Sequence, residues 1–169
     1  DPNNRSAERS NCVVDRRQLF NASLVVLSPR FGSQAAQRLL GNWQASAIIR
    51  RNTGSWNSPN AGRDNDLNAL GDRPDAVGDW RLPQPSIQQW FDRAAFTANA
   101  TGVVGNAGRN IIQGPSAFQW DAALMRRFVL RERQQIEFRA EGFNVLNHAR
   151  FGNPNTDIRV ANYGKILSA

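Results

Sequence analysis

The sequence predicts an all-β fold of antiparallel strands, and three observations predict it. Four segments, 18–28, 41–52, 117–128 and 135–146, alternate apolar with polar residues or carry the β-branched content of strands. No run of 18 apolar residues occurs, so there is no candidate for a membrane-spanning helix. The connections alternate in length: moderate (29–40), very long (54–116), short (129–134), moderate (147–160). In an up-and-down sheet this alternation places the first and third connections at one end and the second and fourth at the other.

Taken in order, residues 1–15 are polar, unpatterned and read as loop. The first strand, 18-QLFNASLVVLS-28, is closed by Pro29 and Gly32. In the connector that follows, Ala35, Ala36, Leu39 and Leu40 are sufficient for one or two helical turns. The second strand, within 41-GNWQASAIIRRNT-53, sets Trp43, Ala45, Ala47 and Ile49 against Gln44, Ser46, Ile48 and Arg50. Region 54–116 is rich in Gly, Pro, Asn and Asp and reads as one long external loop of about 60 residues, where compact soluble domains rarely exceed 12–15. Within it, 86-SIQQWFDRAAF-96 offers Ser86 as an N-cap and Ile87, Trp90, Phe91 and Ala94 at helical spacing, which predicts a short helix. The third and fourth strands, joined by 129-VLRERQ-134, form a tight antiparallel hairpin. After Gly142 the alternation slips, which marks a bulge or the strand's end. The turn-rich tail leads into 160–169, where another strand is expected to start.

The 169 residues suffice for one domain, and 40% of them are apolar. The net charge of +7 is carried by arginine, since Lys165 is the only lysine; the arginines are scattered, and pairs such as Arg50-Arg51 sit where strands start or stop, so no nucleic-acid partner is expected. Cys12 and His148 are each the only residue of their type, which excludes an internal disulfide and clusters of Cys or His ligands. Gly102, Gly105 and Gly108 are spaced as turn glycines and not as a dinucleotide fingerprint. Asp64, Asp66, Asn68 and Asp75 follow the order of a calcium loop, but Ala69 stands where that loop needs glycine and Pro74 stiffens the approach. No metal or cofactor is expected. Glu137 and Glu141 share one face of a strand without any companion group for catalysis, and no enzymatic role is expected.

The chemistry therefore lies in the two faces of the strands. Phe118, Trp120, Ala122 and Leu124 alternate with Gln119, Asp121 and Arg127; Ile136, Phe138 and Ala140 alternate with Glu137, Arg139 and Glu141. Two architectures satisfy this pattern, a sheet with one solvated face and a membrane barrel whose wet side is its interior. Strands of about 9–11 residues span a bilayer when tilted, which the four segments meet. Arg126 lies on the apolar stripe, where an arginine costs roughly 2–4 kcal/mol at the midplane but only about 0–1 near the interface, and its place at the last turn of the predicted strand favours the interface. Trp43, Phe118, Trp120 and Phe128 fall near strand ends, as interfacial aromatic girdles require.

Seven ordered blocks carry a family resemblance: 15-DRRQLFNASLVVLSP-29, 41-GNWQASAIIRRNTGS-55, 62-GRDNDLNALGDRPDAVGD-79, 89-QWFDRAAF-96, 105-GNAGRNIIQGP-115, 117-AFQWDAALMRRF-128 and 138-FRAEGFNVLNHARFGNPNT-156. From about residue 13 to 166 the chain resembles the C-terminal barrel segments of Oar-like TonB-dependent outer-membrane receptors, which carry a carboxypeptidase-regulatory-like domain, a plug and a barrel of about 22 strands. The resemblance implies that residues 1–169 are an incomplete C-terminal segment of a large transmembrane β-barrel in the outer membrane of a Gram-negative-type cell. A final strand ending in an aromatic residue is expected beyond Ala169, and the plug and the TonB-contacting box far upstream.

On this reading the chain is a structural wall and external-loop part of a transporter importing a bulky solute. Its partners would be outer-membrane lipid, the plug and remaining strands of the receptor, the TonB system and an unknown solute. The lipid-facing candidates are Trp43, Ile49, Phe118, Trp120, Leu124, Phe128, Ile136 and Phe138. The lumen-facing candidates are Asp121, Arg127, Glu137, Arg139 and Glu141. The external-loop ligand candidates are Trp56, Arg63, Arg73, Trp80, Trp90 and Arg109. The alternative is a soluble β-sandwich that binds carbohydrate or protein through loop aromatics.

Overall fold

The computed structural model describes residues 5–67, 71–131 and 134–169. In chain order the elements are a 3₁₀ turn (Arg5–Glu8), β1 (Leu19–Leu27), α1 (Gln34–Leu40), β2 (Trp43–Asn52), β3 (Trp56–Asn57), β4 (Asp75–Ala76), a 3₁₀ turn (Arg93–Ala95), β5 (Phe96–Thr97), β6 (Ile112–Gln113), β7 (Ala117–Arg131) and β8 (Gln134–Gly142). They form two units: Gln18–Asn52 with Ala117–Ala149, and Asp1–Arg17 with Thr53–Ser116 and Arg150–Ala169.

The first unit is a four-stranded antiparallel sheet in the order β1-β2-β7-β8. All four predicted strands are present, with shifted ends. β7 continues past residue 128 to Arg131, through a register shift between Val129 and Arg131, and Arg131 pairs with Gln134. β8 stops at Gly142, four residues short of the predicted 146, because the chain turns back on β7 there. Val145 N donates to Trp120 O at 2.8 Å and Asn144, at φ 49°, donates its N–H to Asp121 Oδ1 at 2.9 Å. A Cβ on Gly142 would lie 2.8 Å from Val145 Cγ1, so a larger residue there would have to displace the Val145 side chain. The connector 29–40 does contain helix: α1 ends where Gly41 N donates to Gln37 O at 3.0 Å.

The second unit corrects the reading of 54–116 as an unbroken loop. It has a core of Phe91, Ala95, Phe96, Ala107, Ile112 and Tyr163, with Trp80 and Trp90 packed partly buried against it. Phe91 meets Phe96 and Tyr163 edge-on, at centroid distances of 6.1 and 5.2 Å. Two short antiparallel pairs, β3 with β6 and β4 with β5, tie the segment together.

The helix expected over 86–96 is reduced to the 3₁₀ turn Arg93–Ala95, capped by Asp92 Oδ1, which accepts from Ala94 N at 3.0 Å. Ser86 does cap, but on a tight turn, its Oγ accepting from Gln89 N at 3.1 Å. The physical reason is that the backbone donors a helix needs are committed elsewhere. Trp90 N donates to Gly164 O at 2.8 Å and Asp92 N to Trp80 O at 2.9 Å. The strand expected to start in 160–169 is also absent. That segment turns at Tyr163, whose N–H reaches Val160 O at 3.0 Å, and buries Tyr163, Gly164 and Ile166 in this unit.

Candidate functional site

Side chains directly opposite in an antiparallel ladder share a face, and those faces alternate along each strand. The register therefore sorts every strand residue. One face carries, row by row, Phe20–Arg51–Phe118, Ala22–Ile49–Trp120, Leu24–Ala47–Ala122–Gly142, Val26–Ala45–Leu124–Ala140 and Trp43–Arg126–Phe138, with Phe128 opposite Ile136 beyond. All eight apolar candidates, Trp43, Ile49, Phe118, Trp120, Leu124, Phe128, Ile136 and Phe138, lie on it. The small residues in its middle rows leave a shallow apolar hollow of about 500 Å³ bordered by Leu24, Trp120 and Leu124.

The opposite face holds all five charged candidates. Arg127 stands opposite Glu137 and donates through Nε to its carboxylate at 3.0 Å. Arg139 pairs with Glu141 two residues along β8. Asp121 accepts from Gln119 Nε2 at 3.0 Å and from Asn144 N at 2.9 Å.

Among the described residues of the four strands, none is buried. Leu24, Ile136 and Phe138 are 60%, 53% and 50% exposed. A soluble sandwich needs a second layer on its apolar face, so that alternative is corrected: the sheet is a single layer. The position of Arg126 is also refined. It is not at the end of β7, which runs on to Arg131, but it pairs with Trp43, the first residue of β2. Arg51, which pattern reasoning passed over, occupies the corresponding place at the other end of the apolar face.

The external-loop candidates divide between two hollows of the second unit. Trp56, Trp80 and Trp90 line a cleft of about 380 Å³ with Arg81, Pro85 and Ile111. Arg81 stacks over Trp80 at 4.5 Å, Arg17 lies 5.5 Å from the Trp56 ring, and Trp90 Nε1 donates to Gln113 O at 2.7 Å. Arg73 and Arg109 line a separate, polar cavity of about 580 Å³ with Glu8, Asp66 and Asp72. Arg63 is exposed and borders neither.

Arg73 is held by Glu8, donating from Nη1 at 2.9 Å and Nη2 at 2.5 Å. This pairing keeps the Glu8 carboxyl below the ordinary carboxylate range and Arg73 above its own. Sequence reasoning missed the pair because 65 residues separate the partners. Burial raises the Asp72 carboxyl, but donation from Asp66 N at 2.8 Å, Asn99 Nδ2 at 3.2 Å and Asn65 N at 2.6 Å outweighs it and holds the group below the usual range. The carboxylates of Asp64, Asp66 and Asp72 lie within 4.8 Å of one another, and all three donors to Asp72 converge on its Oδ2. Asp75 is occupied by Asn106 N at 2.9 Å, and Asn68 lies outside the described residues.

The family model of the outer membrane beta barrel domain matches residues 1–169. The chain belongs to this family. No curated protein and no solved structure matches it. As an outer membrane barrel domain the protein resides in the outer membrane, in contact with membrane lipid, and its antiparallel sheet is barrel wall. The four strands form an open sheet, with β1 and β8 at its edges.

Proposed function

We propose that this barrel domain is wall and external loop of a TonB-dependent importer of a bulky solute, with the Phe118–Trp120–Leu124 face toward hydrocarbon and the Asp121–Arg127–Glu137 face toward a water-filled bore. The single observation that carries the reading is the one-layer sheet, in which the β7–β8 hairpin sets an apolar face against a charged one and no strand residue among those described is buried. In lipid every backbone polar group must be paired, which a ladder provides, and the side chains toward the tails must be apolar. The Arg51 and Trp43 rows are eight residue steps apart, about 27 Å of strand and roughly 19 Å of depth at a tilt of about 45°. That depth lies within the apolar band of about 25 Å found on such barrels.

The resemblance to Oar-like receptors supports the remainder. Residues 53–116 connect β2 to β7, a length outer-membrane barrels reserve for outer loops, and on this reading its tryptophan cleft and arginine cavity meet the solute. The role is transport and not catalysis, energised by TonB through other parts of the receptor. The test measures solute depletion from the medium by cells that make the receptor, with and without a working TonB system. Depletion that requires both supports import; equal depletion without TonB contradicts it.

A further inference from the structure

Arg126 and Arg51 are the two cations in the rows of the apolar face, and of the two Arg126 is the one stacked on aromatic rings of that face. It stands between Trp43 and Phe138 in the ladder. Its guanidinium lies 4.9 Å from the Trp43 ring and 4.6 Å from the Phe128 ring. One Nη donates to the carbonyl of Arg38 in α1. Its Nε–H is buried and has no acceptor, and among the described residues no carboxylate pairs with it. On the opposite face of the β7–β8 hairpin, Arg127 and Arg139 do have carboxylates. Aromatic faces stabilise a cation and orient it, but they do not accept a hydrogen bond in the guanidinium plane. The Nη hydrogens not directed at Arg38 remain as charged donors for a phosphate oxygen.

We infer that Arg126, clamped between Trp43 and Phe128, is a binding site for the phosphate of an anionic membrane lipid. The inference rests on the reading of this face as lipid-facing, which supplies the ligand at the right depth. Trp43 and Arg126 lie in the row farthest from Asn52 and Ala117, where residues 53–116 depart. With that connection outside the cell, the lipid comes from the inner leaflet. Aromatic residues flanking a cation are the composition expected at the headgroup layer.

The test uses the protein in bilayers containing spin-labelled phosphatidylglycerol or spin-labelled phosphatidylcholine, and reads the motionally restricted lipid fraction by electron paramagnetic resonance. The anionic lipid is expected to associate about three-fold more strongly than the zwitterionic one, the scale of an exposed ion pair. Arg126→Gln is expected to remove that preference while leaving the restricted phosphatidylcholine unchanged, which also shows that the variant is inserted. Arg126→Lys keeps the charge without the fork and is expected to fall between. Equal association of the two lipids with the unsubstituted protein would overturn the site, as would a preference that survives Arg126→Gln. In both of those outcomes the restricted fraction persists and the lipid-facing reading stands. Absence of a restricted fraction for either lipid would overturn the lipid-facing reading and the site together.

Discussion

Ile49 of β2 stands directly opposite Trp120 of β7, and both side chains project from the apolar face of the sheet. One step along, Ile48 stands opposite Asp121 on the other face. Along β7, two residues one step apart, Trp120 and Asp121, place apolar and charged chemistry on opposite sides of one layer.

The asymmetry of the faces predicts unequal tolerance to charge. Leu124 sits in the middle of the apolar face between Ala45 and Ala140, and Met125 is its neighbour on the charged face. In chemical unfolding from bilayers, Leu124→Arg is expected to cost about 2–4 kcal/mol, and Met125→Arg about 1 kcal/mol or less. Equal costs would show that the faces see the same medium.

Arg127 and Glu137 test whether the charged face is wet. Both are partly exposed to solvent, and the pair is a direct cross-strand contact. Arg127→Glu and Glu137→Arg each set like charges opposite one another, and the double exchange restores the attraction. A double-mutant cycle on unfolding is expected to give a coupling of about 0.2–1 kcal/mol that shrinks with added salt. A coupling several times larger and insensitive to salt would place the pair in a dry interior.

The second unit is expected to soften in acid. Glu8 and Asp72 are both held below their ordinary carboxylate range, so each stabilises the fold above its unfolded value and loses that contribution as the pH falls through its folded one. Melting followed by tryptophan fluorescence is expected to be flat near neutrality and to fall below about pH 4. Asp72→Asn is expected to lower the neutral stability by about 1–3 kcal/mol, since it withdraws a charged acceptor from the Asn65 and Asp66 amides, and to flatten the acid limb.

Phe91 is the keystone of that unit's core, 2% exposed between Phe96 and Tyr163. Phe91→Ala is expected to cost about 3–5 kcal/mol locally. Hydrogen exchange should then lose protection at Trp90 N and Asp92 N while the ladder of β2 with β7 keeps its own. Loss of protection in both would mean that the two melt as one.

The strands were legible because period-two alternation is a local signal that tertiary contacts reinforce. Gly142 was legible for the same reason, since the pattern breaks where the strand stops. The second unit was not, because long-range pairs build it: Trp90 with Gly164, Asn155 with Lys165, Ile166 with Ile87, Arg73 with Glu8. Helical spacing at Ile87, Trp90, Phe91 and Ala94 misjudged the backbone, whose donors went to distant carbonyls, and of the four only Phe91 is buried. The charged and apolar candidates fall on opposite faces because each was assigned by its parity along the strand. Arg51 escaped notice because its neighbours on the apolar face, Phe20 and Phe118, belong to other strands.

The central claim is tested most directly by a spin-label scan of β7. With Cys12, the one cysteine, exchanged for serine, single cysteines placed from residue 118 to 125 are labelled in the bilayer-inserted protein. Collision with oxygen, which concentrates in hydrocarbon, and with a water-soluble nickel chelate is then measured at each position. The account predicts a period of two, with oxygen maxima at 118, 120, 122 and 124 and nickel maxima at 119, 121, 123 and 125. Uniform access to the nickel chelate, or low access to oxygen at 120, 122 and 124, would contradict it.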